Sequence, residues 1–322
     1  MIYDYSYQNT VRRKRPLRVK KPLLLVILII IVFVIVNRFL LKSKSSSDLK
    51  TPVVVNLNSS STGSFPSPII TASFTESLQS QIQSILQGKQ GNYSVLIVNY
   101  STGERVAVNE TSIYTAASVI KIPTLAVLYH TANSDEIDLD KTITIQEKDI
   151  QNYGTGIIQY EDPPITYSLK TLARLLMEKS DNTAQSVLAF NVLGSRSIQN
   201  QIEDWGLTQT NILDNETSNK DMELLLQLMY NGNIASPSLT EEMIGLMDNS
   251  DFEDRIPLLL PQNTKVYHKI GNETRIIHDV GIVESQKAIY YIGILSSDIG
   301  SDEEAINTIA QISKLTFDYF NQ

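Results

Sequence analysis

From Pro22 to Val36 every position is apolar or proline, and after Asn37-Arg38 the run resumes at Phe39-Leu40-Leu41. Residues 22–41 would span about 30 Å as a helix, the thickness of a bilayer's hydrocarbon core. Arg12, Arg13, Lys14, Arg15, Arg18, Lys20 and Lys21 precede the run, with only Asp4 opposing them. Positive-inside logic makes 1–21 a cytoplasmic tail and exports the chain beyond residue 41. A cleaved signal peptide is the competing reading. The bulky, charged Asn37-Arg38-Phe39-Leu40-Leu41-Lys42 offers no small-x-small cleavage site, so a retained single-pass membrane anchor is expected. Residues 43–72 hold nine serines with Pro52, Pro66 and Pro68, and read as a linker too polar to bury a core.

The periodicity changes at about residue 73. Leu78, Ile82, Ile85 and Leu86 have helical spacing that ends at Gly88. Val95-Leu96-Ile97-Val98 reads as a buried strand, turned by Ser101-Thr102-Gly103 into a second strand, Arg105–Val108. The middle, 115–247, is predicted mostly helical, with helices over Ile120–Tyr129, Leu169–Met177, Ala184–Leu193 and Met222–Met229. Strands return at Lys265–Ile270, Ile276–Val283 and Ile289–Leu295, followed by an amphipathic helix with Ile306, Ile309, Ile312, Leu315 and Phe317. Strands at both ends with helices between predict an α+β domain over 73–322. One antiparallel sheet would be flanked by the terminal helices, with a mostly helical lobe beside it and a groove between them.

Composition removes whole classes of chemistry. The 322 residues include no cysteine and three scattered histidines, His130, His268 and His278. That excludes disulfides, a thiol nucleophile and thiolate metal sites, and leaves no H-E-x-x-H helix; neither metal nor cofactor is expected. The net charge of −8 is divided unevenly. Residues 1–50 carry 11 basic side chains against Asp4 and Asp48, while the remainder carries 16 basic and 33 acidic ones. A domain that acidic repels phosphate backbones, so no nucleic-acid partner is expected.

Three short patterns could do chemistry. In Ser118-Val119-Ile120-Lys121 the i, i+3 spacing brings an amine beside a hydroxyl at a helix start. Alone it is equally a helix cap with a surface lysine. Ser180-Asp181-Asn182 lies between two helices and is ordinary capping composition, and His268-Lys269-Ile270-Gly271 is an ordinary strand end. Together, in this order and in an exported domain, they match the S-x-x-K, S-D-N and K-x-G set of penicillin-recognising serine hydrolases. The domain resembles class A β-lactamases along its length, as an atypical member with a shortened omega-type loop. Gly154-Thr155-Gly156, Trp205-Gly206-Leu207-x-x-Thr210 and His278-Asp279-Val280-Gly281 extend the resemblance.

The resemblance implies that Ser118 attacks an amide or lactam carbonyl to form an acyl-enzyme, with Lys121 as its base. A lysine of ordinary pKa is neutral at pH 7 only about once in 2,500, so burial and the charge of Lys269 would have to lower it. Ser180 would relay a proton to the departing nitrogen, Asn182 would bind the substrate's side-chain amide, and Lys269 would attract its carboxylate. The N–H groups of Ser118 and Asn272, just after Gly271, would form the oxyanion hole.

Two features depart from the family pattern. No E-x-x-L-N glutamate is present, and Glu216 reads as a loop or cap residue rather than a deacylating base. Isoleucine in Lys269-Ile270-Gly271 removes a hydroxyl that would bind the substrate carboxylate, a charge-assisted bond of about 1.5–3 kcal/mol; Arg275, beyond the turn, is the candidate to replace it, against a surface role that is the favoured reading of that residue. The expected function is therefore an anchored, monomeric serine hydrolase that opens β-lactams. The alternatives are a D,D-peptidase-like enzyme on peptidoglycan stem peptides and a non-catalytic domain that binds wall peptides.

Overall fold

The computed structural model describes residues 70–322, apart from Asn249. The basic tail, the apolar run 22–41 and the linker up to residue 69 lie outside the described residues. Ile70 is already helical, so residues 70–72, expected in the linker, belong to the first helix. Among the described residues no helix is long and apolar enough to cross a membrane.

The chain runs α1 (Ile70–Leu86), β1 (Asn92–Asn99), β2 (Arg105–Val108), β3 (Ile113–Thr115) and, after a 3₁₀ turn over Ala117–Ile120, α2 (Lys121–Asn133). It continues through β4 (Thr142–Ile145), β5 (Ile165–Ser168), α3 (Leu169–Glu178), α4 (Asn182–Ser186), α5 (Ser195–Asp204) and β6 (Glu216–Ser218). The last elements are α6 (Asn219–Tyr230), α7 (Pro237–Gly245), β7 (Lys265–Glu273), β8 (Ile276–Glu284), β9 (Ile289–Ser297) and α8 (Asp302–Phe320).

The main sheet has the order β2-β1-β9-β8-β7 and is antiparallel at every pairing. Strands from the two ends of the domain meet where β1 pairs β9, for example Ile97 opposite Ile292. Both faces are covered, so alternate side chains enter two different cores. Val95, Ile97, Ile292 and Ile294 pack with Leu78, Ile82, Ile309 and Ile312 of the terminal helices. Leu96, Val280, Ile282, Tyr291 and Leu295 pack against the helical lobe, among Ile122, Leu125, Leu172, Leu188 and Leu226. Burial on both sides is why these strands read as continuous apolar runs rather than as alternation.

The middle region holds more strand than its spacing predicts. Two ribbons, β3 with β6 and β4 with β5, are only three or four residues long, too short for a period to register. Helical spacing over Ala184–Leu193 resolves into α4 followed by a π-helical turn, Val187–Leu193, ended by Gly194 at φ +82°. Helix α7 was not anticipated, although Pro237 at its first turn is a start signal.

Candidate active site

β7 is one of the two edge strands of the sheet, opposite β2, and the 3₁₀ turn carrying Ser118 lies beside its free edge. Ala117, just before the serine, has φ +48°, a left-handed conformation costing about 1–3 kcal/mol for a residue with a side chain. It swings the chain out of β3 and presents Ser118, which is half-buried, at the start of the turn. Lys121 opens α2 one turn later, and its Nζ donates to Ser118 Oγ at 2.8 Å. The same amine reaches Ser180 Oγ at 3.2 Å and Asn182 Oδ1 at 2.8 Å. From the sheet, Lys269 Nζ reaches Ser180 Oγ at 3.0 Å and the Ile270 carbonyl at 3.1 Å. Ser118, Lys121, Ser180, Asn182 and Lys269, spread over some 150 positions of sequence, thus form one hydrogen-bonded chain.

The segment after α3 is built to hold this arrangement. Ser180 has φ +50°, a second left-handed residue in the site. Asp181 caps α4 through Oδ1, which accepts from Ala184 N at 2.9 Å, while Oδ2 accepts from the N–H groups of Ile157 and Ile158 at 2.7 and 3.0 Å. That double grip explains the Gly154-Thr155-Gly156 signature. A Cβ on Gly156, at φ +121°, would stand 2.4 Å from the Asp181 carboxylate, and one on Gly154 would stand 2.4 Å from Asn182 Nδ2. Thr155 Oγ1 donates to the Ser180 carbonyl at 2.7 Å, and Asn182 Nδ2 donates to the Tyr153 carbonyl at 3.0 Å.

Both amines are dry. Lys121 and Lys269 are 2% and 1% exposed, and Ser180 between them is 1% exposed. Burial disfavours the charged form and brings Lys121 down to about 8, although Asp181 nearby opposes the fall. Lys269 is also pushed well below the ordinary lysine value, by burial first and then by the charge of Lys121. At about 8, Lys121 is a free amine in about one molecule in ten at pH 7.

Gly271 and Asn272 lie on β7 opposite His278 and Ile277. His268 N donates outward to the Met247 carbonyl at 3.0 Å, so the antiparallel alternation also sends the Asn272 N–H off the sheet edge. Gly271 is a point of close approach, since a Cβ there would lie 3.1 Å from the Ala116 carbonyl and 3.2 Å from the His278 ring.

Arg275 does not join the group. It occupies the β7–β8 turn at φ +61°, and its guanidinium donates to the carbonyls of Asp298 and Ile299 at 3.0 and 3.4 Å. Those residues come after β9, two strands in from β7, so the candidate replacement for the missing hydroxyl of Ile270 is directed elsewhere, as its surface reading expects. Glu216 is neither loop nor cap: it is an exposed residue of β6, paired with Thr115. No carboxylate among the described residues hydrogen-bonds Ser118, Lys121 or Ser180.

Two residues at the site were given no role by the sequence. Asn215, at φ +54°, accepts from Ala116 N at 2.7 Å through its carbonyl, and its side-chain Oδ1 is buried without a hydrogen-bond partner. His278 donates through Nε2 to the Thr115 carbonyl at 2.9 Å. Its signal was the His278-Asp279-Val280-Gly281 stretch, a polar pair inside a mostly apolar strand.

Comparison with known proteins places these observations in a family. Residues 77–320 match the profile of the beta-lactamase enzyme family. The extended-spectrum beta-lactamase PER-1 of Pseudomonas aeruginosa is 24% identical over 229 residues, 64% of this chain and 74% of that protein. A beta-lactamase of Bacteroides uniformis is 22% identical over 283 residues, 78% of this chain and 93% of that protein. Among solved structures, PBP-A superposes with a TM-score of 0.72 at 24% identity, covering 76% of this chain and 96% of that one. The extended-spectrum beta-lactamase TLA-1 gives 0.72 at 22% identity, covering 77% and 99%. A variant of PBP-A has been solved as an acyl-enzyme with penicillin G.

Proposed function

The chain belongs to the beta-lactamase enzyme family, whose members are serine hydrolases, and from that premise we propose that it opens β-lactam amide bonds through an acyl-enzyme on Ser118. The observation that carries this reading is the 2.8 Å contact between Lys121 Nζ and Ser118 Oγ, with the amine buried enough to bring its pKa down to about 8.

In the proposed reaction the free amine of Lys121 takes the Ser118 proton as Oγ adds to the lactam carbonyl carbon. The N–H groups of Ser118 and Asn272 stabilise the oxyanion. Collapse breaks the C–N bond, and the leaving nitrogen receives its proton from Ser180, which is resupplied by the amines that hydrogen-bond it. A substrate carboxylate arriving at Lys269 would favour the charged form of that amine. Its charge would in turn push Lys121 toward the free base the first step needs.

Deacylation has less support. With Glu216 exposed on β6 and no carboxylate among the described residues bonded to the Ser118–Lys121–Ser180 chain, the acyl-enzyme is expected to persist. This favours, as a second reading, a penicillin-binding enzyme acting on peptidoglycan stem peptides through the same serine. Asn182 would bind the side-chain amide of either substrate. The apolar stretch 22–41 and the basic residues before it support a membrane anchor that holds the domain outside the cytoplasm.

Incubating the full chain with a fluorescent penicillin and a chromogenic cephalosporin separates the readings. Label with turnover supports the β-lactamase, and persistent label without turnover supports the penicillin-binding enzyme. No label, as in a Ser118→Ala control, defeats both. The anchor is tested by intact mass of the mature protein, where loss of residues 1–42 would exclude it.

A further inference from the structure

His278 is fully buried on β8, yet neither ring nitrogen lacks a partner. Ser296 N–H, which can only donate, meets Nδ1 at 3.0 Å, and the Thr115 carbonyl, which can only accept, meets Nε2 at 2.9 Å. These partners fix one neutral tautomer, with the proton on Nε2. Burial first of all disfavours the imidazolium and lowers the pKa to about 4, in keeping with a nitrogen that must accept a backbone N–H. The ring also meets Tyr114 edge-on, with centroids 6.1 Å apart.

Thr115 ends β3, three residues before Ser118. Thr115 also pairs with Glu216 across the β3–β6 ribbon, and two further backbone bonds hold the connecting stretch. Asn215 O accepts from Ala116 N at 2.7 Å on one side, and Val119 N closes back on Ala116 O at 3.2 Å. Between them Ala117 sits at φ +48°, a conformation that persists only where its surroundings over-determine it. Gly271 allows the sheet, the ring and this stretch to come together, since a Cβ there would be 3.1 Å from Ala116 O and 3.2 Å from the imidazole.

We propose that His278 is a positioning residue for the nucleophile: its Nε2–H tethers the Thr115 carbonyl to the sheet and thereby sets where the Ala117 turn delivers Ser118 Oγ. The inference rests on Ser118 being the acylated residue. It deepens that reading by naming what holds the serine against the free edge at which the oxyanion would form. A displacement of about 1 Å in a reacting atom costs up to about 100-fold in rate, so the tether acts on the acylation step rather than on substrate affinity.

The test compares two substitutions in the full chain by the rate of labelling with a fluorescent penicillin, resolved into the affinity K and the acylation constant k2. His278→Asn keeps an acceptor near the Nδ1 position and has no donor that reaches Thr115. His278→Gln carries an amide N–H to about the Nε2 position. The expected result is a fall of about 10–100-fold in k2 for His278→Asn with K nearly unchanged, and recovery to within about threefold in His278→Gln. Wild-type k2 in His278→Asn overturns the proposal, as does an equal loss in both variants at wild-type melting temperature. If His278→Asn fails to fold, a loss of more than about tenfold in folded His278→Gln overturns it. On the wild-type chain, ¹⁵N resonances must show Nε2 protonated and Nδ1 bare; the opposite tautomer overturns it without any variant. A wild-type chain that takes no label defeats the Ser118 reading and this one with it, whereas a labelled wild type matched by His278→Asn defeats this one alone.

Discussion

Lys121 and Lys269 share one oxygen: their amines reach Ser180 Oγ at 3.2 and 3.0 Å, one from α2 and the other from β7. Two ammonium groups facing a single hydroxyl at 2% and 1% exposure cannot both keep their protons cheaply. The site therefore works with fewer protons than a surface pair of lysines would hold, and the shared hydroxyl provides a path along which a proton can move.

This sets the pH dependence of acylation. Lys121 acts as base only when neutral, and its pKa is about 8. The acylation constant k2/K should rise about tenfold per pH unit below that value and level off above it. Stopped-flow labelling between pH 5.5 and 9.5 checks this, and a flat profile would exclude Lys121 as base. Lys121→Ala should lower k2 by about 100-fold or more, in line with the contribution of a general base.

Gly156 should resist even alanine. Its φ of +121° is unfavourable for any side chain, and the added Cβ would fall 2.4 Å from the Asp181 carboxylate that grips Ile157 and Ile158. Gly156→Ala should cost about 2–4 kcal/mol in chemical denaturation and slow labelling as well, because Asp181 sits between Ser180 and Asn182.

Arg275, by contrast, should be dispensable for the chemistry. Its guanidinium is occupied with the carbonyls of Asp298 and Ile299. Arg275→Ala should leave labelling within about twofold of wild type and stability within about 1 kcal/mol. A tenfold fall in labelling rate would restore it to the carboxylate-binding role.

Between β7 and β8 lies a buried ion pair with its own pH signature. His268 Nδ1 stands 2.9 Å from Asp279 Oδ1, and Nε2 stands 3.4 Å from Glu253. Burial works against the imidazolium, but the two carboxylates outweigh it and push the pKa up to about 9 from 6.5. A folded pKa above the unfolded one gives stability that is complete below about 6.5 and lost as pH rises through about 9. Guanidinium unfolding should show a decline of up to about 3 kcal/mol across that window. His268→Gln should flatten it.

The pattern of apolar positions was enough to locate the sheet strands and the terminal helices. Residues such as Val95–Val98 and Ile289–Leu295 are buried on both faces, and continuous burial leaves a continuous apolar trace. The three short motifs were likewise legible as residues once read together, because the nucleophile, base and proton carrier proposed for them must each be a particular chemical type. What sequence could not supply was the contact between them. Ser180 is placed between Lys121 and Lys269 by the packing of α2, α3 and β7. Arg275 is drawn to the carbonyls of Asp298 and Ile299, a contact that only the packed sheet brings about. His278 and Asn215 acquire their meaning solely from the backbone groups they meet, the Thr115 carbonyl and the Ala116 amide. Local spacing records which side chains a helix or strand can bury. The direction of a hydrogen bond between segments distant in the chain is set only once those segments have packed.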